Sequence, residues 1–134
     1  MAFTSVAGHG NLPNGNFSSV IYSKKVQLAF RKATVIGDGG WGTALAMVLA
    51  RNGHEVTVWG PFDEQLDIVR TTGENKTYLP GVELPSTLRW TSDHADAVKG
   101  ADLVVLVVPS RFFKATVEAF LPHLEKEVLI VSAT

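Results

Sequence analysis

The sequence predicts a doubly wound α/β domain, a parallel sheet covered by helices on both faces, and three observations lead there. Short β-rich runs alternate with helical patterns from residue 32 onward. One run, "ADLVVLVVP" at 101–109, is mostly Leu and Val without alternation, as a parallel strand covered on both faces requires. The first strand-to-helix junction, "VIGDGGWGTALA" at 35–46, holds Gly37, Gly39, Gly40 and Gly42, although glycine weakens strands and helices alike.

The elements follow in order. "KATVIG" at 32–37 is a β-branched run ending in glycine, the first strand. Residues 41–52, "WGTALAMVLARN", carry Leu45, Val48 and Leu49 at helical spacing, and Gly53 stops this helix as a left-handed cap. "HEVTVWG" supplies a second strand through Val56, Val58 and Trp59. At 62–71, "FDEQLDIVRT" places Phe62, Leu66 and Val69 on one helical face. Pro80, Gly81 and Pro85 argue against regular structure in the long connection that follows. "LRWT" is a short third strand, and Asp93 caps a short helix through Val98 that Gly100 ends. After the 101–109 strand, Ser110 is placed to cap a helix from Arg111 to about Leu124, with Phe113, Val117 and Phe120 inward. "EVLIVSA" makes a last buried strand. Crossovers between parallel strands need helices and are right-handed. By analogy with the mononucleotide-binding half, this gives a Rossmann-type sheet with strand order 3-2-1-4-5.

Composition narrows the function classes. With 134 residues, 46% hydrophobic and 19% charged, one globular core is expected. A net charge of −1 gives no global field for nucleic acid or an anionic membrane, so an anionic ligand must be held by local geometry. No cysteine is present, which removes disulfides and thiol chemistry and fits a reducing compartment, the cytoplasm. The longest apolar run is too short to span a bilayer. His9, His54, His94 and His123 show no metal-ligand spacing, so solvated positions and no metal are expected. Residues 1–31, rich in Gly, Asn and Ser toward their start, read as a flexible extension outside the core. The lack of acidic residues up to Gly37 also suits an organelle transit peptide.

The glycines explain themselves through a ligand. Gly37, Gly39 and Gly42 stand as G-x-G-x-x-G between a predicted strand and a predicted helix, the context in which that pattern carries meaning. The first permits the tight turn, the second lets a pyrophosphate approach the main chain, and the third lets helix and strand pack closely. The helix N-terminus, with about half a positive charge, then provides an anion site without a lysine. The competing reading is a glycine turn that serves packing alone. One device is missing. Dinucleotide folds often carry an acidic residue about 20 positions after the first glycine for the ribose 2′-hydroxyl, or an arginine for a 2′-phosphate. Here the second strand ends in Trp59, Gly60 and Pro61, and Asp63 and Glu64 read as helix-dipole charges.

Taken together and in this order, "IGDGGWGTALAMVLARNGHEVTVWG", "YLPGVELP", "ADLVVLVVPS" and "IVSAT" resemble the N-terminal domain of the NAD(P)-dependent glycerol-3-phosphate dehydrogenases over about residues 32–134. The resemblance implies an enzyme that interconverts dihydroxyacetone phosphate and sn-glycerol 3-phosphate with NAD or NADP and supplies the backbone of membrane phospholipids. It implies that Gly37, Gly39 and Gly42 form the cofactor turn, that Gly40 and Trp41 contact the cofactor, that Phe112 lies against it, and that Tyr78 opens a loop near the same cleft. The blander readings are Trp41 as a core aromatic, Tyr78 as a packing anchor, and Phe112 or Phe113 turned into the core.

The chain departs from the family pattern at several positions. Gly40 stands where many members have serine. Asp38 stands where alanine is usual, and it is expected to point away from the pyrophosphate it would repel. Pro61 falls where bacterial members commonly have arginine, which leaves NAD versus NADP open. In the family, "SAT" runs on into a Lys-Gly pair and a helical C-terminal domain that carry the catalytic and phosphate-binding residues. The expectation is therefore a dinucleotide-binding domain at 32–134 with no catalytic residue, inactive alone, and a phosphorylated substrate met through a further domain. The resemblance also allows a homodimer of the full-length enzyme. Rival functions are a non-catalytic dinucleotide-binding or redox-sensing module, or the cofactor domain of another NAD(P)-dependent reductase.

Overall fold

A computed structural model describes residues 31–134, so the expected extension lies outside the described residues but for Arg31. The elements are β1 (Lys32–Ile36), α1 (Gly40–Arg51), β2 (Glu55–Trp59), α2 (Asp63–Thr72), β3 (Arg89–Thr91), α3 (His94–Val98), β4 (Leu103–Leu106), α4 (Ser110–Phe120) and β5 (Leu129–Ser132). A 3₁₀ turn, Leu121–His123, prolongs α4. All strand pairs are parallel, in the order β3-β2-β1-β4-β5. From β1 the chain steps outward to β2 and β3 and then crosses back to β4 on the other side of β1, which makes the C-terminal end of β1 the switch point of the sheet.

Alternating side chains of the strands feed two cores. Ala33, Val35, Val56, Val58, Leu103 and Val105 face α1 and α2. Ile36, Trp59, Val104 and Leu106 face α3 and α4, where Phe120 fills the centre. Full burial of a Leu, Val or Phe is worth about 1.5–3 kcal/mol, so these two layers carry most of the stability. Buried Thr34 remains satisfied because its hydroxyl donates to the Ala97 carbonyl, which ties β1 to α3. Asp102 accepts from the Arg31 and Lys32 amides at 3.1 and 3.0 Å, fixing the start of β1 against β4. Asp93 caps α3 as expected, accepting from the Asp96 amide at 2.7 Å, and Gly53 takes the left-handed conformation, φ +88°.

Five expectations need correction. The buried face of α1 is Gly42, Thr43, Ala46 and Met47; Val48 is exposed, and Leu45 and Leu49 sit at the margin of the core. Gly42, Thr43 and Ala46 let the helix lie close to the sheet near the turn, and Met47 reaches into the core beyond them. Phe62 is the N-cap of α2 and points to solvent, while Leu66 and Val69 are buried. Ser110 is the first residue of α4 and caps nothing; the turn closes through the Phe112 amide, which donates to the Pro109 carbonyl at 2.8 Å. The last strand is not buried: β5 pairs on one side only, and Leu129, Ile130 and Val131 are close to half exposed. His94 also departs from a solvated position, since its ring lies 5.1 Å from Trp59 and 4.8 Å from Phe120.

Candidate functional site

The turn between β1 and α1 lies at the switch point, held on both sides. The Gly37 amide donates to the Trp59 carbonyl at 2.9 Å, and the Val107 amide donates to the Ile36 carbonyl at 2.8 Å. Three of the four glycines are required by this packing. Gly37 has φ +129°, and a Cβ there would stand 2.1 Å from the Val107 carbonyl oxygen. A Cβ on Gly42 would stand 2.0 Å from the Gly37 oxygen, and one on Gly40 would stand 2.7 Å from the Tyr78 oxygen. Gly39 is different. Its φ of −66° suits any residue, and a Cβ there would meet nothing within 4 Å.

Gly39 is the N-cap of α1, yet no side chain caps the helix and no acidic residue lies in its first turn. The first-turn amides lack intrahelical acceptors and form the positive end of the dipole. An oxyanion approaching over Gly39 would meet those amides with no side chain in the way. The residues present therefore fit a pyrophosphate, in the manner of helix N-terminal anion sites.

A residue with no distinctive sequence signal braces this turn. Asn75, in the long loop after α2, is 1% exposed; its Nδ2 donates to the Asp38 carbonyl at 2.8 Å and to Thr43 Oγ1 at 2.9 Å. Its Oδ1 accepts from the Tyr78 amide at 3.2 Å, which brings the Tyr78 main chain against Gly40. Asn75 thus joins the "YLPG" loop to the glycine turn through a fully used amide.

The expected aromatic contacts lie at the same end of the sheet. Trp41 and Phe112 occupy the first turns of α1 and α4, which begin beyond the C-terminal ends of β1 and β4. They are 61% and 50% exposed and Tyr78 is 48% exposed, so none is a core aromatic; Phe113 takes the inward place in α4. The Arg111 guanidinium lies 4.6 Å from the Phe112 ring centroid. A wide groove by α2 and β3, lined by Arg70, Gly73, Glu83 and Trp90, lies elsewhere. Arg70 there is already engaged with Asp63, Asp67 and the Trp90 carbonyl. Among the described residues no group of His, Cys, Asp and Glu could hold a metal ion, and no helix is long and apolar enough to cross a membrane.

Asp38 is 8% exposed, and its carboxyl lies against Gly60. Burial holds it above its ordinary value near 3.8, partly offset by a bond to its own backbone amide. Since the folded value is raised, the cost of the charged form is absent below pH 3.8 and is present in full once the pH exceeds the folded value. Asp38→Asn is expected to raise the melting temperature at pH 7, with the gain vanishing below pH 3.8. Thermal melts at the two pH values check this; an equal shift at both would contradict it.

Residues 32–134 match the family described as NAD-dependent glycerol-3-phosphate dehydrogenase N-terminus. Glycerol-3-phosphate dehydrogenase (NAD(P)+) of Streptomyces griseus is 48% identical over 101 residues, 75% of this chain and 30% of the relative. That of Moorella thermoacetica is 49% identical over 98 residues, 73% of this chain and 29% of the relative. The crystal structure of glycerol-3-phosphate dehydrogenase from Coxiella burnetii superposes with a TM-score of 0.73 at 32% identity, covering 77% of this chain and 32% of that one. The chain spans about 30% of the length of the curated relatives it matches. With the glycine turn at the switch point of a five-stranded parallel sheet, the chain belongs to the family of N-terminal domains of NAD-dependent glycerol-3-phosphate dehydrogenases.

Proposed function

We propose that the chain binds NAD or NADP with the pyrophosphate over the Gly37–Gly42 turn. Within the whole protein it serves the interconversion of dihydroxyacetone phosphate and sn-glycerol 3-phosphate, a step toward glycerophospholipids. The observation that carries this reading is Gly39, the one glycine of the turn that neither backbone angle nor packing explains. Bound dinucleotide supplies the hydride chemistry. The chain's own residues bind and orient. The α1 amides hold the anion, Gly37 and Gly42 let helix and strand close around it, and Asn75 fixes the turn. Trp41, Tyr78 and Phe112, exposed at that end of the sheet, are the apolar surfaces against the cofactor. The absence of cysteine suits the reducing cytoplasm as its location.

Binding to the folded state stabilises by mass action, by about 2.7 kcal/mol at a ligand concentration 100 times Kd. For a domain of this size that is a rise in melting temperature of roughly 10–20 °C. NADH or NADPH is expected to produce it; no shift with either, at concentrations up to millimolar, would overturn the reading.

A further inference from the structure

The end of β2 is where a dinucleotide fold is expected to present a carboxylate to the adenosine ribose, or an arginine to a 2′-phosphate. In this chain the residues of the strand end itself are unavailable for either task, and Glu64 stands exposed in the first turn of α2 as a helix-dipole charge. The Trp59 indole N–H is spent on the Ser92 carbonyl at 2.9 Å, Gly60 has no side chain, and Pro61 offers no donor. Asp63 is taken by Arg70 and Ser92. The nearby guanidinium of Arg70 is held by two aspartates and the Trp90 carbonyl.

A carboxylate nevertheless reaches that place from another strand. Asp38, inside the glycine turn after β1, lies so close to Gly60 that a Cβ there would stand 2.6 Å from its Cγ and Oδ2. The missing side chain at 60 is the space the Asp38 carboxyl fills. Among the described residues no ion pair involves Asp38, and the side chains that donate to it, Asn75 and Thr43, reach its main-chain carbonyl and not its carboxylate. The carboxylate of a residue only 8% exposed, with unspent acceptor capacity, is costly unless a donor arrives. Neighbouring hydroxyls supply such donors, whereas a phosphate adds like charge in a poorly solvated place.

Building on the dinucleotide reading above, we propose that Asp38 is the specificity-determining carboxylate of this chain, accepting from the adenosine ribose hydroxyls at the end of β2 and rejecting a 2′-phosphate. The acid has moved from the strand end to the glycine turn, and Gly60 is its counterpart.

The test is calorimetric titration of NADH and NADPH into the wild type, Asp38→Asn and Gly60→Ala, each first shown to be folded by circular dichroism. The wild type is expected to bind NADH about tenfold or more tighter than NADPH. Asp38→Asn keeps the shape and removes the charge, so NADPH binding tightens, NADH binding weakens, and the ratio falls toward one. Gly60→Ala displaces the carboxyl and lowers the ratio with Asp38 still present. A merely structural role would change both affinities by the same factor. An unchanged ratio in Asp38→Asn, or a wild type that favours NADPH, overturns the assignment and leaves dinucleotide binding intact. A folded wild type that binds neither nucleotide overturns the dinucleotide reading and the role of Asp38 with it.

Discussion

Gly42→Ala is expected to destabilise the domain by about 3 kcal/mol or more. For a domain of this size that lowers the melting temperature by roughly 12–24 °C. Helix propensity alone gives the opposite sign, since alanine is about 1 kcal/mol better than glycine inside a helix. Packing decides. The new Cβ would stand 2.0 Å from the Gly37 carbonyl oxygen and 3.0 Å from its carbon, and the obstacle is backbone rather than the end of a flexible side chain. Gly37 cannot give way either, because its own Cα faces the Val107 carbonyl and its φ of +129° is open only to glycine. A melt followed by circular dichroism measures the effect. An unchanged or raised melting temperature would mean that α1 stands further from the turn.

Gly39→Val has the opposite profile. Its φ of −66° is ordinary and the space around its Cα is empty, so the fold is expected to survive with a melting temperature within a few degrees of the wild type. The valine methyl groups then occupy the approach to the α1 amides. A hydrogen bond to a charged group is worth about 1.5–3 kcal/mol, and losing one or two of them weakens dinucleotide binding roughly 100-fold. The contrast between the two substitutions separates three positions that serve backbone packing from the one proposed to serve the ligand.

Strand order and the alternation of elements were legible in the sequence because they rest on local signals. These are the unalternating apolar run at 103–106, the Gly53 stop, the Asp93 cap and the G-x-G-x-x-G at a strand-helix junction. What was hidden depends on how closely elements approach. Periodicity placed Leu45 and Val48 at helical spacing, yet the sheet takes Gly42, Thr43 and Ala46 beside the glycine turn and Met47 further along, so which face turns inward depends on how α1 is docked. The apolar character of "VLIVS" read as burial, but a strand paired on one side keeps Leu129 and Val131 partly exposed.

At the candidate site, the glycines were legible as a group but not individually; only the backbone geometry separates Gly39 from its neighbours. Asn75 carried no signal, because an asparagine in a polar loop reads as a turn residue and its two long-range bonds appear only once the loop is folded over the turn. Asp38 was legible as an anomaly beside an expected anion. Its place against Gly60 could not be read without the fold, since the two residues are 22 positions apart and meet only through the pairing of β1 with β2.

Calorimetric titration of NADH into the wild type and Gly39→Val, at matched folded fractions, tests the ligand role of the turn most directly. Measurable binding by the wild type and a loss of roughly 100-fold or more in the variant, with both melting alike, is the expected result. Equal affinity in the two folded proteins would contradict it, because a pyrophosphate seated over the α1 amides has no room for a valine at 39.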